Sequence, residues 1–397
     1  MEIRENDQLL ETIMKQKSRQ FSKILNNKDS LEVQIMYTQI NRDANNRPQF
    51  KSFYFNVDSS RYFYPASTVK LPLVLLALEK LKRLDKKGLD KYTTMLHDSV
   101  YSGQVSVAKD STSEDGLPSI AQYAKKILVV SDNDAFNRLY EFMGQEPTNK
   151  ILNEKGYAMR ILHRLERPLT PEQNRHTEAV RFVKDDSVLY EQGMLINRDS
   201  IVAPKQVWKG KGYMKNDKLI KKPFDFTYKN FYALTDQQKL LRAVLFPETV
   251  TSTLRFDISE ADRQFVLKYM SQLPTETLHP PYKQDTSMYD AYCKFLMFGD
   301  DRSKMPSSIR IFNKVGDAYG YLIDNAFIID FENGVEFMLS AVINTNTDGI
   351  YNDGKYEYKS LGYPFMKDLG QLIYGYELKR KRAYQPDLSA FQITYDQ

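Results

Sequence analysis

Three short runs in this sequence hold residue types suited to acyl transfer. Ser67 and Lys70 stand three apart in Tyr64-Pro65-Ala66-Ser67-Thr68-Val69-Lys70, followed by the apolar run Leu71-Pro72-Leu73-Val74-Leu75-Leu76-Ala77-Leu78. Positions i and i+3 share a helix face, which makes the hydroxyl and the amine neighbours. Ser67 falls at the helix N-terminus, where free N–H groups and the dipole favour developing negative charge. Lys70 lies one turn in, among apolar residues. Desolvation lowers a lysine pKa, and a neutral amine is a base able to activate a hydroxyl. The helix is apolar nearly all round, so burial on most sides is expected.

One such step is weak evidence, since about one or two arise by chance in a chain of this length. The second, Ser106-Val107-Ala108-Lys109, runs into Asp110-Ser111-Thr112-Ser113, which is loop composition. Ser131-Asp132-Asn133 lies between helical patterns at 118–130 and 134–143, on a junction able to point side chains into a cleft. Read alone, it is three helix-capping residues. Lys314-Val315-Gly316 ends a strand pattern that begins at Ile309; read alone, Lys314 is a solvated strand lysine.

These runs need elements to bring them together. Residues 7–26 predict an amphipathic helix, and 31–37 and 52–57 predict strands joined through the turn residues 42–48. That hairpin leads into Ser67. Helical patterns return at 234–246, 259–272, 287–299 and 360–378, the last ending in Lys379-Arg380-Lys381-Arg382, which suits a helix C-terminus. Strands at 309–316, 321–330 and 335–343 form an antiparallel meander. An α/β (α+β) fold follows. Residues 1–66 and 300–397 make a sheet lobe, and 67–299 make a helical lobe with an insertion at about 171–230. The cleft lies between the lobes, with Ser67, the 131–133 junction and the 314–316 strand converging on it.

Composition narrows the function. Of 397 residues, 42% are hydrophobic and 27% charged, with a net charge of +5, so the chain is globular and only mildly basic. No nucleic-acid motif is present. One cysteine, Cys293, allows no internal disulfide, and four histidines show no metal-ligand spacing, so neither a metal nor a cofactor is expected. No run of 18 apolar residues occurs. Met1-Glu2-Ile3-Arg4-Glu5-Asn6 has no signal-peptide pattern, which implies a cytoplasmic chain or a targeting segment already removed. Residues 203–230 hold eight lysines against two aspartates, read as a solvated hairpin insertion, with a contact to an anionic surface or polymer as the functional alternative.

The ordered set Ser67-x-x-Lys70, Ser131-Asp132-Asn133 and Lys314-Val315-Gly316 resembles the penicillin-recognising serine enzymes. It is most similar to the class A β-lactamases, whose motifs are S-x-x-K, S-D-N and K-T-G. The resemblance covers most of the chain and implies a β-lactamase/transpeptidase-like fold: antiparallel sheet, flanking helices and an all-helical lobe. The extra lengths at about 171–230 and 273–307 depart from it. It implies that Ser67 is acylated, Lys70 removes its proton, and Ser131 relays a proton to the leaving nitrogen. Asn133 and Lys314 would bind substrate. The backbone beside Gly316, through the N–H groups of Ser67 and Asp317, would form the oxyanion hole. Val315 stands where the family usually has a hydroxyl for the substrate carboxylate. A deacylating glutamate is implied on a loop after the second motif. Glu166 matches best, in Glu166-Arg167-Pro168-Leu169-Thr170, with Thr170 in place of an asparagine as a possible water ligand; Glu172 and Glu178 are rivals. His163 and His176 read as loop structure. The resemblance also implies the cell envelope or periplasm.

Three activities follow as expectations. The first is a serine hydrolase forming an acyl-enzyme on amide or β-lactam substrates. The second is a D,D-peptidase or transpeptidase on cell-wall peptides. The third is a binding relative without turnover.

Overall fold

The computed structural model describes residues 7–101, 105–185, 187–198 and 205–396. The expectation about Met1–Asn6 falls outside these, as do parts of the 171–230 and 203–230 stretches.

One five-stranded antiparallel sheet carries the fold: β1 (Gln34–Arg42), β2 (Pro48–Phe55), β3 (Ile309–Ala318), β4 (Tyr321–Asp330) and β5 (Val335–Asn344). Its spatial order is β3-β4-β5-β1-β2, so strands from both chain ends meet where β5 pairs with β1. The meander expected at 309–343 is present, with Lys314 opposite Asn325 and Val315 opposite Asp324. Strict alternation then decides which side chains can reach a cleft. On β3, Ile311 and Val315 face an outer apolar cluster, while Phe312 faces the inner one. Lys314 and Gly316 share the inner face with Phe312.

The outer face is covered by α1 (Asp7–Lys15), α2 (Ser18–Asn26) and the long α9 (Tyr363–Lys379). The single helix expected at 7–26 is broken at Gln16 and Lys17. The basic run after α9 has a definite partner: Arg380 and Arg382 both donate to the buried Glu377.

The inner face meets the helical lobe. Its centre is α3 (Lys70–Leu84), surrounded by α4 (Ile120–Val130), α5 (Asn133–Met143), α6 (Gln145–Glu154) and α8 (Glu260–Ser271). Residues Leu71 to Leu78 are all buried, as an all-round apolar helix requires. Between lobe and sheet lies α7 (Leu234–Leu245). Its Gln238 accepts from Thr38 Oγ1 (2.6 Å) and donates to Ser340 Oγ (2.8 Å). Among the described residues no helix is long and apolar enough to cross a membrane.

Two long stretches differ from the expected layout. Residues Val180–Lys184 pair with Thr94–His97 on one side and with Ser187–Gln192 on the other in a small sheet, and Val180 and Phe182 are fully buried in the lobe core. The lysine-rich part does contain a hairpin, Gly212–Lys215 with Lys218–Ile220. The helix expected at 287–299 is absent. There is a 3₁₀ turn at Asp290–Cys293 and a kinked turn at Phe295–Phe298, whose Met297 has φ 75°. Cys293, Phe295, Leu296 and Met297 pack into the outer cluster of the sheet, so this piece sits with the sheet rather than with the helical lobe to which 67–299 was assigned.

Candidate active site

The chain reaches Ser67 through a local reversal. Ala66 has φ +48°, a left-handed conformation costly for a residue with a Cβ. It is held by Thr68, whose hydroxyl donates to Pro65 O at 2.7 Å. A 3₁₀ turn, Ala66–Val69, then runs into α3, and the Lys70 N–H bonds Ser67 O. Ser67 is therefore presented at a helix start. Gly316 explains how close β3 comes: a Cβ there would lie 2.8 Å from Pro65 O and 2.9 Å from Ser67 N, both backbone atoms. Only a residue without a Cβ lets the strand pass the backbone of Ser67.

The junction between α4 and α5 is as local in origin. Ser131 takes φ +63° and ends α4 by donating its N–H to Ile127 O. Asp132 caps α5 by accepting from Ala135 N at 2.7 Å, which makes Asn133 the first residue of that helix. The tight reversal turns the Ser131 carbonyl and hydroxyl toward Lys70.

Lys70 is fully buried, and its ammonium nitrogen donates to Ser131 O, to Asn133 Oδ1 at 2.6 Å and to Ser131 Oγ at 3.3 Å. From the other lobe, Lys314 Nζ donates to the same Ser131 Oγ at 2.7 Å. Burial pushes the Lys70 amine well below its ordinary pKa, and the positive charge of Lys314 adds to the push. Burial likewise brings Lys314 down to about 8. Among the described residues no hydrogen bond joins the Ser67 hydroxyl to the Lys70 amine. The expected contact is made by the backbone, and the Lys70 side chain points past Ser67 to the junction.

Ser67 opens into a cavity of about 610 Å³ shared with Asn133, Glu166, Lys229, Asp317 and Tyr319. Of the three candidate glutamates, Glu166 alone lines it. Glu172 is exposed and pairs with Arg175, and Glu178 is buried, accepting from the N–H groups of Val100 and Tyr101. Glu166 has φ +51° and sits on a loop tied down from α5. Asn137 exchanges two hydrogen bonds with the backbone of Leu165 (2.9 and 3.0 Å), and Glu141 forms a fully buried bidentate pair with Arg164 (2.7 and 2.9 Å). Asn133, Asn137 and Glu141 are spaced i, i+4, i+8, so one stripe of α5 serves both the site and its loop. Sequence reasoning missed Asn137 and Glu141, although polar residues spaced four apart from Asn133 were a readable signal. Thr170 does not line the cavity, and its hydroxyl is not free to donate to a water. Its hydroxyl and N–H close a capping box with Gln173 at the start of the turn Pro171–Asn174. His163 stacks on Tyr64 with rings parallel within 3°, and burial lowers it to about 4. His176 packs on Tyr101 away from the cavity.

Val315 is corrected by strand alternation. It is 2% exposed, belongs to the outer apolar cluster and does not line the cavity, so its side chain does not face substrate. A Val315→Thr protein is expected to lose about 1–3 kcal/mol of stability from the buried hydroxyl. It should show no gain on a chromogenic cephalosporin relative to a simple thioester. A selective gain would return Val315 to the substrate side.

The flank of β3 is closed by the 273–307 stretch. Asn313, next to Lys314, donates to Cys293 O (2.8 Å) and to Asp324 Oδ1 (2.8 Å), and accepts from Lys294 Nζ (2.7 Å). This buried network fixes the strand position from which Lys314 reaches Ser131.

Residues 16–211 match the model of the β-lactamase enzyme family, a stretch that holds the first two motifs and the Glu166 loop but not Lys314. No curated protein matches the chain. Among solved structures, the β-lactamase of Sphaerobacter thermophilus is 13% identical with a TM-score of 0.48, covering 91% of this chain and 96% of that one. The β-lactamase of Xanthomonas campestris is 14% identical with a TM-score of 0.48, covering 92% and 98%. The protein PBP-A is 14% identical with a TM-score of 0.45, covering 87% and 89%.

Proposed function

We propose that this chain, whose residues 16–211 match the model of the β-lactamase enzyme family, is a penicillin-recognising serine hydrolase that cleaves amide or β-lactam bonds through an acyl-enzyme on Ser67, in the class A manner. One observation carries the reading: Ser131 Oγ is held between Lys70 and Lys314, behind a serine that shares its cavity with Glu166. Ser67 Oγ attacks the substrate carbonyl and its proton passes to neutral Lys70. The oxyanion is met by the N–H groups of Ser67 and Asp317. Ser131 gives its proton to the leaving nitrogen and is resupplied from Lys70, so the amide bond breaks without net proton change. Asn133 binds the substrate amide. Glu166 then takes a proton from water, which attacks the ester and frees Ser67.

A second reading, a D,D-peptidase or transpeptidase with a long-lived acyl-enzyme, is favoured by Thr170. Thr170 does not line the cavity and its hydroxyl donates to Gln173, so it offers no donor to a water activated by Glu166. Both readings require the same adduct. Incubation with a labelled penicillin and, separately, a fluorophosphonate, followed by peptide mapping, should place the label on Ser67. A label on Ser106 or Ser131, or no label with either reagent, overturns the proposal and leaves a binding relative.

A further inference from the structure

The direction of the cavity restricts what the substrate carries on its acyl side. The leaving nitrogen must face Ser131, its proton source. Lys70, Ser131 and Lys314 do not line the cavity into which Ser67 opens. The open volume therefore receives the part of the substrate that stays bonded to Ser67.

This space has a charge pattern. At the Ser67 end, burial raises the Asp317 carboxyl above its ordinary pKa, and the charge of Glu166 adds to the rise. Lys229 stands at the far side, close enough for its charge to act on His163, with its ammonium 5.7 Å from the centre of the Tyr319 ring and 5.8 Å from that of Phe224. Among the described residues Lys229 has no carboxylate partner, whereas both arginines of the lining are paired, Arg164 with Glu141 at 2.7 Å and Arg167 with Asp134 at 3.2 Å. Lys229 is also built in. The next residue, Asn230, is fully buried and accepts from the N–H groups of Leu162 (2.7 Å) and His163 (3.2 Å), and Tyr62 OH donates to the Asn230 carbonyl (3.0 Å). The end of the lysine-rich stretch is thus bonded to the loop that carries Glu166. Tyr64, Tyr319 and Tyr356 give the lining flat apolar surface.

We propose that Lys229 is the specificity-determining residue of an acyl-side subsite, taking substrates whose acyl group combines a carboxylate with an aromatic or flat apolar part. The inference rests on the acyl-enzyme reading above. A half-buried lysine lacking an acidic partner keeps its charge for the ligand. The aromatic rings beside it orient the ammonium and displace water, which strengthens a hydrogen bond to a carboxylate over the same contact in bulk solvent.

The test uses two penicillins that differ only by a carboxylate on the side-chain α-carbon, with the second-order rate of Ser67 acylation as the readout. Wild type should favour the carboxylated compound. Lys229→Met should lower that preference about tenfold, the size of one partly exposed charged hydrogen bond. Lys229→Arg should retain it. So should Lys222→Met, which removes an exposed lysine of the same stretch and controls for general charge. If Lys229→Met leaves the ratio unchanged, or if Lys222→Met lowers it equally, the subsite is overturned while acylation of Ser67 stands. If neither penicillin acylates wild type, the hydrolase reading fails and the subsite falls with it.

Discussion

Replacing Lys70 by methionine is expected to slow acylation of Ser67 by about 10²- to 10⁴-fold, the usual worth of a positioned general base. Two of the amine's N–H groups go to Ser131 O and Asn133 Oδ1. When neutral, its two N–H groups stay so engaged and its lone pair is left to take the Ser67 proton, which makes the third N–H that is then passed to Ser131. Burial and Lys314 both favour that neutral form. Acylation should therefore rise with pH as Lys70 loses its proton, and fall again near pH 8 as Lys314 loses its own. Stability separates this role from a merely structural one. The folded pKa of Lys70 lies below its unfolded value of about 10.4. Between the two, the unfolded chain binds the extra proton, so Lys70 costs stability that is absent above the unfolded pKa and grows as pH falls toward the folded one. Relative to wild type, the Lys70→Met protein should thus become progressively more stable as pH is lowered from about 10. Measuring acylation by stopped-flow and unfolding by denaturant across that range checks both. A variant that acylates at the wild-type rate leaves the base elsewhere, with Glu166 acting through water as the next candidate.

The elements around the site could be read because their causes are local. The all-round apolar run after Lys70, the capping residues at Ser131 and Asp132, and the alternating strands at 309–343 each specify their conformation within a few residues. The same alternation already held the answer for Val315. If Lys314 and Gly316 face the site, the residue between them faces away, and resemblance to a hydroxyl-bearing motif had overridden that count. Thr170 was misjudged for a related reason, since its value as a water ligand ignored the Gln173 three residues on that completes a capping box. Lys229 and the 287–299 stretch were illegible for a different reason. Lys229 owes its place to Asn230, which bonds a loop nearly seventy residues earlier in the chain. The turns at 290–298 owe theirs to Asn313 and Asp324 across the sheet edge. Neither partner leaves a periodic trace in the sequence.

Replacing Glu166 by glutamine should let acylation proceed and then stall, with deacylation reduced by about 10²- to 10⁴-fold. Glutamine keeps the size and the carbonyl of the side chain but cannot accept a proton from water. Glu166 is singled out by position: it lines the cavity with Ser67, while Glu172 is spent on Arg175 and Glu178 on a backbone turn. Its loop is rigidly supported by Asn137 and by the buried Arg164–Glu141 pair, so the substitution alters chemistry without releasing the backbone. Glu166 itself accepts no hydrogen bond from the described residues, and the free hydroxyl that would have helped to hold its water is missing at Thr170. Wild type should therefore already deacylate slowly. Intact-mass spectrometry after a pulse of penicillin reads both lifetimes. A Glu166→Gln acyl-enzyme that decays at the wild-type rate removes Glu166 from the water-activating step, and the peptidase-type reading, in which a second nucleophile resolves the ester, then takes precedence.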